Sequence, residues 1–88
     1  MGVREAALEV TVRARLNQDK RVGDLPISPY VVDSVVYLIG RVETLEQRDI
    51  ADFLTRGTPG VQRVSVDEIE VAELTQMAGQ PKPGQSPD

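Results

Sequence analysis

Between Val31 and Gly40 the chain reads Val-Val-Asp-Ser-Val-Val-Tyr-Leu-Ile-Gly, two apolar runs hinged on a polar pair. A strand that covers a core on one side alternates apolar and polar residues, because successive side chains point to opposite faces. Here both faces are apolar. The stretch predicts a hairpin, Ile27 to Val32 and Val35 to Arg41 joined at Asp33-Ser34, whose second apolar face needs an occupant. β-branched residues and tyrosine dominate both strands, as a pleated surface favours. The turn lacks the glycine of a two-residue hairpin and relies on the tolerance of aspartate for positive φ. Pro29 cannot donate to a ladder, which places it at an edge or a bulge.

Upstream, Leu8, Val12 and Leu16 recur every four residues between Arg4 and Gln18, with Arg and Glu among them, which is the spacing of an amphipathic helix. Glu9 and Arg13 stand on it in the favourable ion-pair order. Asn17, Asp19, Gly23-Asp24 and Pro26 end it. Downstream, Thr44-Leu45-Glu46-Gln47 has the form of a capping box, in which the threonine hydroxyl and the glutamine side chain satisfy free amides at a helix start. Ile50, Phe53 and Leu54 follow at i, i+3, i+4 as the core side of that helix. Asp49 and Asp52 pair with Arg48 and Arg56. Gly57, past the last turn, occupies the position where a left-handed residue is favoured.

Thr58-Pro59-Gly60 predicts a type II turn into a third strand, Val61 to Val71. Val64 and Val66 share one parity and Ile69 and Val71 the other, so a bulge near Asp67-Glu68 is needed to keep both pairs inward. Asp67, Glu68 and Glu70 lack the spacing and glycine of a calcium loop and read as a solvated strand end.

Helix, strand, strand, helix, strand predicts an α+β fold, a two-layer αββαβ sandwich with a three-stranded mixed sheet and both helices on one face. The second helix crosses between strands two and three, which should therefore run parallel. Residues 1–74 make the domain, and residues 75–88, rich in Pro, Gly and Gln, are predicted to be a disordered tail. Hydrophobic residues are 40% of the chain but aromatic ones only 3%, so the expected core is aliphatic with Phe53 as its one large ring.

Counting back from Gly40 through a two-residue turn puts Ile27, Pro29, Val31, Val36 and Leu38 under the helices. Tyr30, Val32, Val35, Tyr37 and Ile39 then point the other way and are the candidate binding residues. A patch of about 300 Å² would contribute roughly 7 kcal/mol on being covered, before the costs of association. Three occupants are open: water, with Tyr30 and Tyr37 as a cross-strand pair; a second copy in a homo-oligomer; or a lipid, an envelope component or another protein.

With 14 acidic residues against 10 basic ones and a net charge of -4, the chain lacks the basic footprint of a nucleic-acid binder. The same balance weakens attraction to anionic headgroups. Cysteine and histidine are both absent. That removes thiol nucleophiles, zinc sites and the commonest general base, and no catalytic residue, metal or cofactor is expected. With no apolar leader and no apolar run long enough to span a bilayer, the expectation is a cytoplasmic protein, or a periplasmic one if an export signal has been removed.

Read in order, the chain carries Leu8, Val12 and Leu16 with Asp19 after them; Val36-Tyr37-Leu38-Ile39-Gly40-Arg41-Val42; Arg48 and Ala51; Pro59-Gly60-Val61-Gln62-Arg63-Val64; and finally Ile69 and Val71. This ordered set resembles the BON domain, a bacterial module named after osmotically induced periplasmic and nodulation-associated proteins. The resemblance covers about Arg4 to Val71. It implies an αββαβ fold and a non-enzymatic module for binding phospholipid membranes, cell-envelope components or partner proteins. The family usually has glycine at the hairpin where this chain has Ser34. Gly40 is expected where a Cβ would strike the overlying helix or where positive φ is required.

Overall fold

Val12 and Leu16 are buried on helix α1, Val3–Gln18, with Leu8 at their margin, so the four-residue stripe is the face that meets the core. The computed structural model describes residues 2–74; the predicted tail, residues 75–88, lies outside the described residues. After α1 come β1 (Ile27–Val32), β2 (Val35–Val42), α2 (Leu45–Arg56) and β3 (Arg63–Val71), and a further helical turn begins at residues 72–74. The strands lie in the order β1-β2-β3, with β1 antiparallel and β3 parallel to β2. This is the expected α+β sandwich. Its core joins Val12, Leu16 and Ala51 of the helices to Val31, Val36, Leu38, Val42, Ile69 and Val71 of the sheet.

The loop between α1 and β1 is organised by Asp19. Its carboxylate accepts from the Arg21 amide at 2.8 Å and from the Arg21 guanidinium at 3.0 and 2.8 Å, while its carbonyl accepts from Gly23 at 2.7 Å. The Arg21 contacts hold the Asp19 carboxyl down at about 2. In the hairpin turn, Asp33 and Ser34 both take positive φ, 51° and 67°, the signature of a type I′ turn built without glycine. Pro29 sits on the edge strand β1, as its missing donor requires.

The bulge falls where the parity of β3 demands it. Tyr37 lies beside Ser65 but Ile39 beside Glu68, so one extra residue is inserted at Val66-Asp67. That insertion brings Ile69 and Val71 onto the face that Val64 and Val66 already occupy. Thr44 caps α2 by accepting from the Gln47 amide at 3.1 Å, and the Gln47 side chain returns to the Thr44 amide at 3.1 Å. The Glu73 carboxylate adds a further acceptor for the Leu45 amide at 3.1 Å, a negative charge at the positive end of the helix. Val61 donates to the Thr58 carbonyl, closing the turn in which Gly60 has φ 97°, and this turn delays β3 to Arg63.

Three expectations are corrected. Phe53 is not in the core: it is 74% exposed. Ala51 and Thr55 are buried on the α2 face that meets the sheet, their small side chains letting the helix approach closely; Ile50 and Leu54 pack at the margin of the core as expected, and Phe53 lies about 200° around the helix from Ala51. Gly57 is not left-handed, with φ -78°. The last carbonyls of α2 find other partners, since Leu54 accepts from the Thr58 hydroxyl at 3.1 Å and from Arg15 Nε at 3.2 Å. Gly40 has the expected positive φ but not the expected clash with a helix. Its φ is 149°, and an added Cβ would fall 1.9 Å from the Pro26 carbonyl oxygen, so the neighbouring strand's backbone is what excludes a side chain.

Candidate functional site

Period-two alternation divides the hairpin sharply. Pro29, Val31, Val36 and Leu38 are buried under the helices, while Tyr30 is 52%, Ile39 45%, Val32 38% and Tyr37 36% exposed; Val35 is half-buried. All five candidate residues therefore share the helix-free face. The register brings them together: Tyr30 opposes Tyr37, Val32 opposes Val35 and Ser28 opposes Ile39. Directly opposed side chains lie about 5 Å apart, so the two rings and the two valines form one continuous strip along β1 and β2.

The same face extends onto β3, a contribution that hydrophobic periodicity alone misses because its side chains are polar. Arg63 lies beside Val35, Ser65 beside Tyr37, Glu68 beside Ile39 and Glu70 beside Arg41. Arg63, Glu68 and Glu70 are exposed. The apolar strip is thus bordered by a row that is positive at the hairpin end and negative at the other. The bulge sets this pattern by returning Glu68 and Glu70 to the parity of Ser65 and Arg63. Arg41 and Glu70 make an exposed ion pair at 3.5 Å, which is worth little on its own.

Hollows lie elsewhere among the described residues: a polar one between α1 and β1 is lined by Asn17, Gln18, Asp19, Lys20, Gly23 and Asp24, and two have partly apolar linings. One, of about 250 Å³, is lined by Arg4, Glu5, Leu8 and Thr11 of α1 together with Ser34, Pro59 and Gly60. Within it Glu5 is already engaged, accepting from the Gly2 and Asp33 amides at 3.0 and 2.8 Å, which lowers its pKa. The other, of about 650 Å³, is a shallow concavity beside Ile50 and Phe53 with Arg21, Glu46 and Asp49 around it. In the first of these two, the Thr11 hydroxyl donates to the Ala7 carbonyl at 3.0 Å while Glu5 accepts from the two amides, so these groups are not paired as nucleophile and base. Among the described residues no group of acidic side chains is placed to hold a metal ion, and no described helix is long and apolar enough to cross a membrane. The other acidic residues weighed from the sequence have cationic neighbours on α2: Arg56 contacts Asp52 at 2.6 Å and Arg48 contacts Asp49 at 3.4 Å. Asp67 and Glu68 are exposed.

Compared with known families, residues 4–73 match the model of the BON domain. No curated protein matches the chain.

Proposed function

We propose, since the chain belongs to the BON domain family, that it is a non-catalytic binding module whose working surface is the helix-free face of its sheet, and that a second copy of the chain covers that face. The observation that carries this reading is the continuous strip of Tyr30, Val32, Val35, Tyr37 and Ile39, all turned away from both helices. A continuous apolar strip on a small domain supports an interaction site there. Tyrosine suits such a face, having an apolar body that packs and a hydroxyl that stays wet at the rim.

A phospholipid or envelope surface is the second reading, favoured by the family, which is associated with phospholipid binding or envelope association. The acidic end of the β3 row and the net charge of -4 act against it for anionic headgroups. The test is sedimentation of the wild-type chain beside a Val35→Lys, Tyr37→Asp double variant. The wild type is expected to associate as its concentration rises and the variant to remain monomeric with an unchanged circular dichroism spectrum. A wild-type chain that stays monomeric but co-sediments with phosphatidylcholine or phosphatidylglycerol vesicles would move the assignment to lipid.

A further inference from the structure

We propose that two copies meet face to face about a two-fold axis that runs across the strands at the level of Tyr30 and Tyr37, which places Arg63 of each copy against Glu68 of the other. The inference rests on the self-association reading above and adds to it the orientation of the pair. In a face-to-face dimer the two-fold axis lies in the plane between the sheets, and two choices keep the strands aligned. An axis parallel to the strands lays β3 of one copy over β1 of the other. Arg63 would then cover Val32 and Glu68 would cover Ser28, each losing water without gaining a counter-charge.

An axis perpendicular to the strands keeps β3 over β3 and reverses its direction. Because Tyr30, Tyr37 and Ser65 share one level of the sheet, they become the centre. Val35, one pleat towards the hairpin, meets the level of Ile39, and Arg63, which lies beside Val35, meets Glu68, which lies beside Ile39. Arg63 and Glu68 stand at equal steps on opposite sides of this centre, so a single operation pairs them twice on the β3 side while the apolar strip packs on itself. Sheets pack about 10 Å apart, a gap that Arg and Glu side chains can bridge at a rim. Three strands about 4.8 Å apart give each copy a contact of a few hundred Å². The pair sits at or below the roughly 1,200 Å² lower bound for stable interfaces, so a weak dimer follows.

Charge reversal tests the orientation. Arg63→Glu alone and Glu68→Arg alone are each expected to raise the dimer Kd at least about tenfold, by putting like charges together. An equimolar mixture of the two variants should form a heterodimer, and the chain carrying both changes should dimerise within about threefold of wild type. Circular dichroism on each variant checks that the fold is kept. Sedimentation equilibrium over a concentration series gives every Kd. A wild-type chain that is monomeric throughout overturns the self-association reading and this inference with it. A wild-type dimer whose Kd is indifferent to all the reversals leaves self-association standing and overturns the orientation.

Discussion

Ser34 holds φ at 67° and Asp33 at 51°, where an L-residue suffers a Cβ clash costing about 1 kcal/mol that glycine escapes. The hairpin carries that cost because its two strands are locked by the core on one side, and because the Glu5 carboxylate accepts from the Asp33 amide at 2.8 Å. Ser34→Gly is therefore expected to stabilise the domain by up to about 0.5 kcal/mol, raising Tm by roughly 2–4 °C at most in thermal denaturation, after the greater freedom of unfolded glycine is subtracted. Gly40→Ala has the opposite sign. With the Pro26 carbonyl in the space a Cβ needs, about 3 kcal/mol or more should be lost in urea denaturation, or the chain should fail to fold. Asp19, held at about 2 chiefly by the side-chain hydrogen bonds from Arg21, and Glu5, lowered chiefly by the Gly2 amide, set the acid limb. A carboxylate with a lowered folded pKa contributes stability that is fully present above its unfolded pKa and is lost as pH falls through the folded one. The denaturation midpoint should thus be flat near neutrality and fall from about pH 4.5 towards pH 2, and Asp19→Asn should remove part of that slope.

At the scale of elements, the start of α2 was legible, as were Ile50 and Leu54 on its core side, but the outward turn of Phe53 was not. The Thr44 and Gln47 box is a local arrangement of hydrogen bonds, so its residues specify it wherever the helix lies. Which stripe of α2 faces the sheet depends instead on how closely the helix can approach. Ala51 and Thr55 win because they are small, with the Thr55 hydroxyl satisfied by the Ala51 carbonyl at 2.8 Å, and Phe53 is turned to solvent. Phe53→Ser should accordingly change stability by no more than about 0.5 kcal/mol, as at an ordinary surface position. Ala51→Leu, which forces a larger side chain into the helix-sheet contact, should cost about 1–3 kcal/mol in the same denaturation series. The bulge in β3 was legible for the reason the capping box was: Val64, Val66, Ile69 and Val71 state by parity alone that one residue must be extra.

For the whole molecule, the consequence of two helices sharing one side of a three-stranded sheet is an uneven distribution of apolar surface. Among residues 2–74, Tyr30, Val32, Tyr37 and Ile39 stay between 36% and 52% exposed on the face turned away from α1 and α2. If apolar contact drives association through this face, the heat-capacity change on assembly should be negative, and dilution calorimetry at several temperatures measures it directly. Sulfate should tighten the assembly while the same ionic strength of sodium chloride should weaken only the charged rim. An assembly with no heat-capacity change would point away from the tyrosine strip and towards charge alone.

Element order, the two strand runs, the capping box, the bulge and the inward and outward parity of the hairpin were all determined by the chain itself, because each depends on residues close in sequence or on a fixed period of two or four. The outward turn of Phe53, the carbonyl that forbids a side chain at Gly40, the role of Arg15 and Thr58 in closing α2, and the charged row that β3 lays beside the tyrosines were decided only by tertiary structure. Those features depend on distances between segments far apart in the chain, set when helices and strands pack at the closest approach their side chains allow.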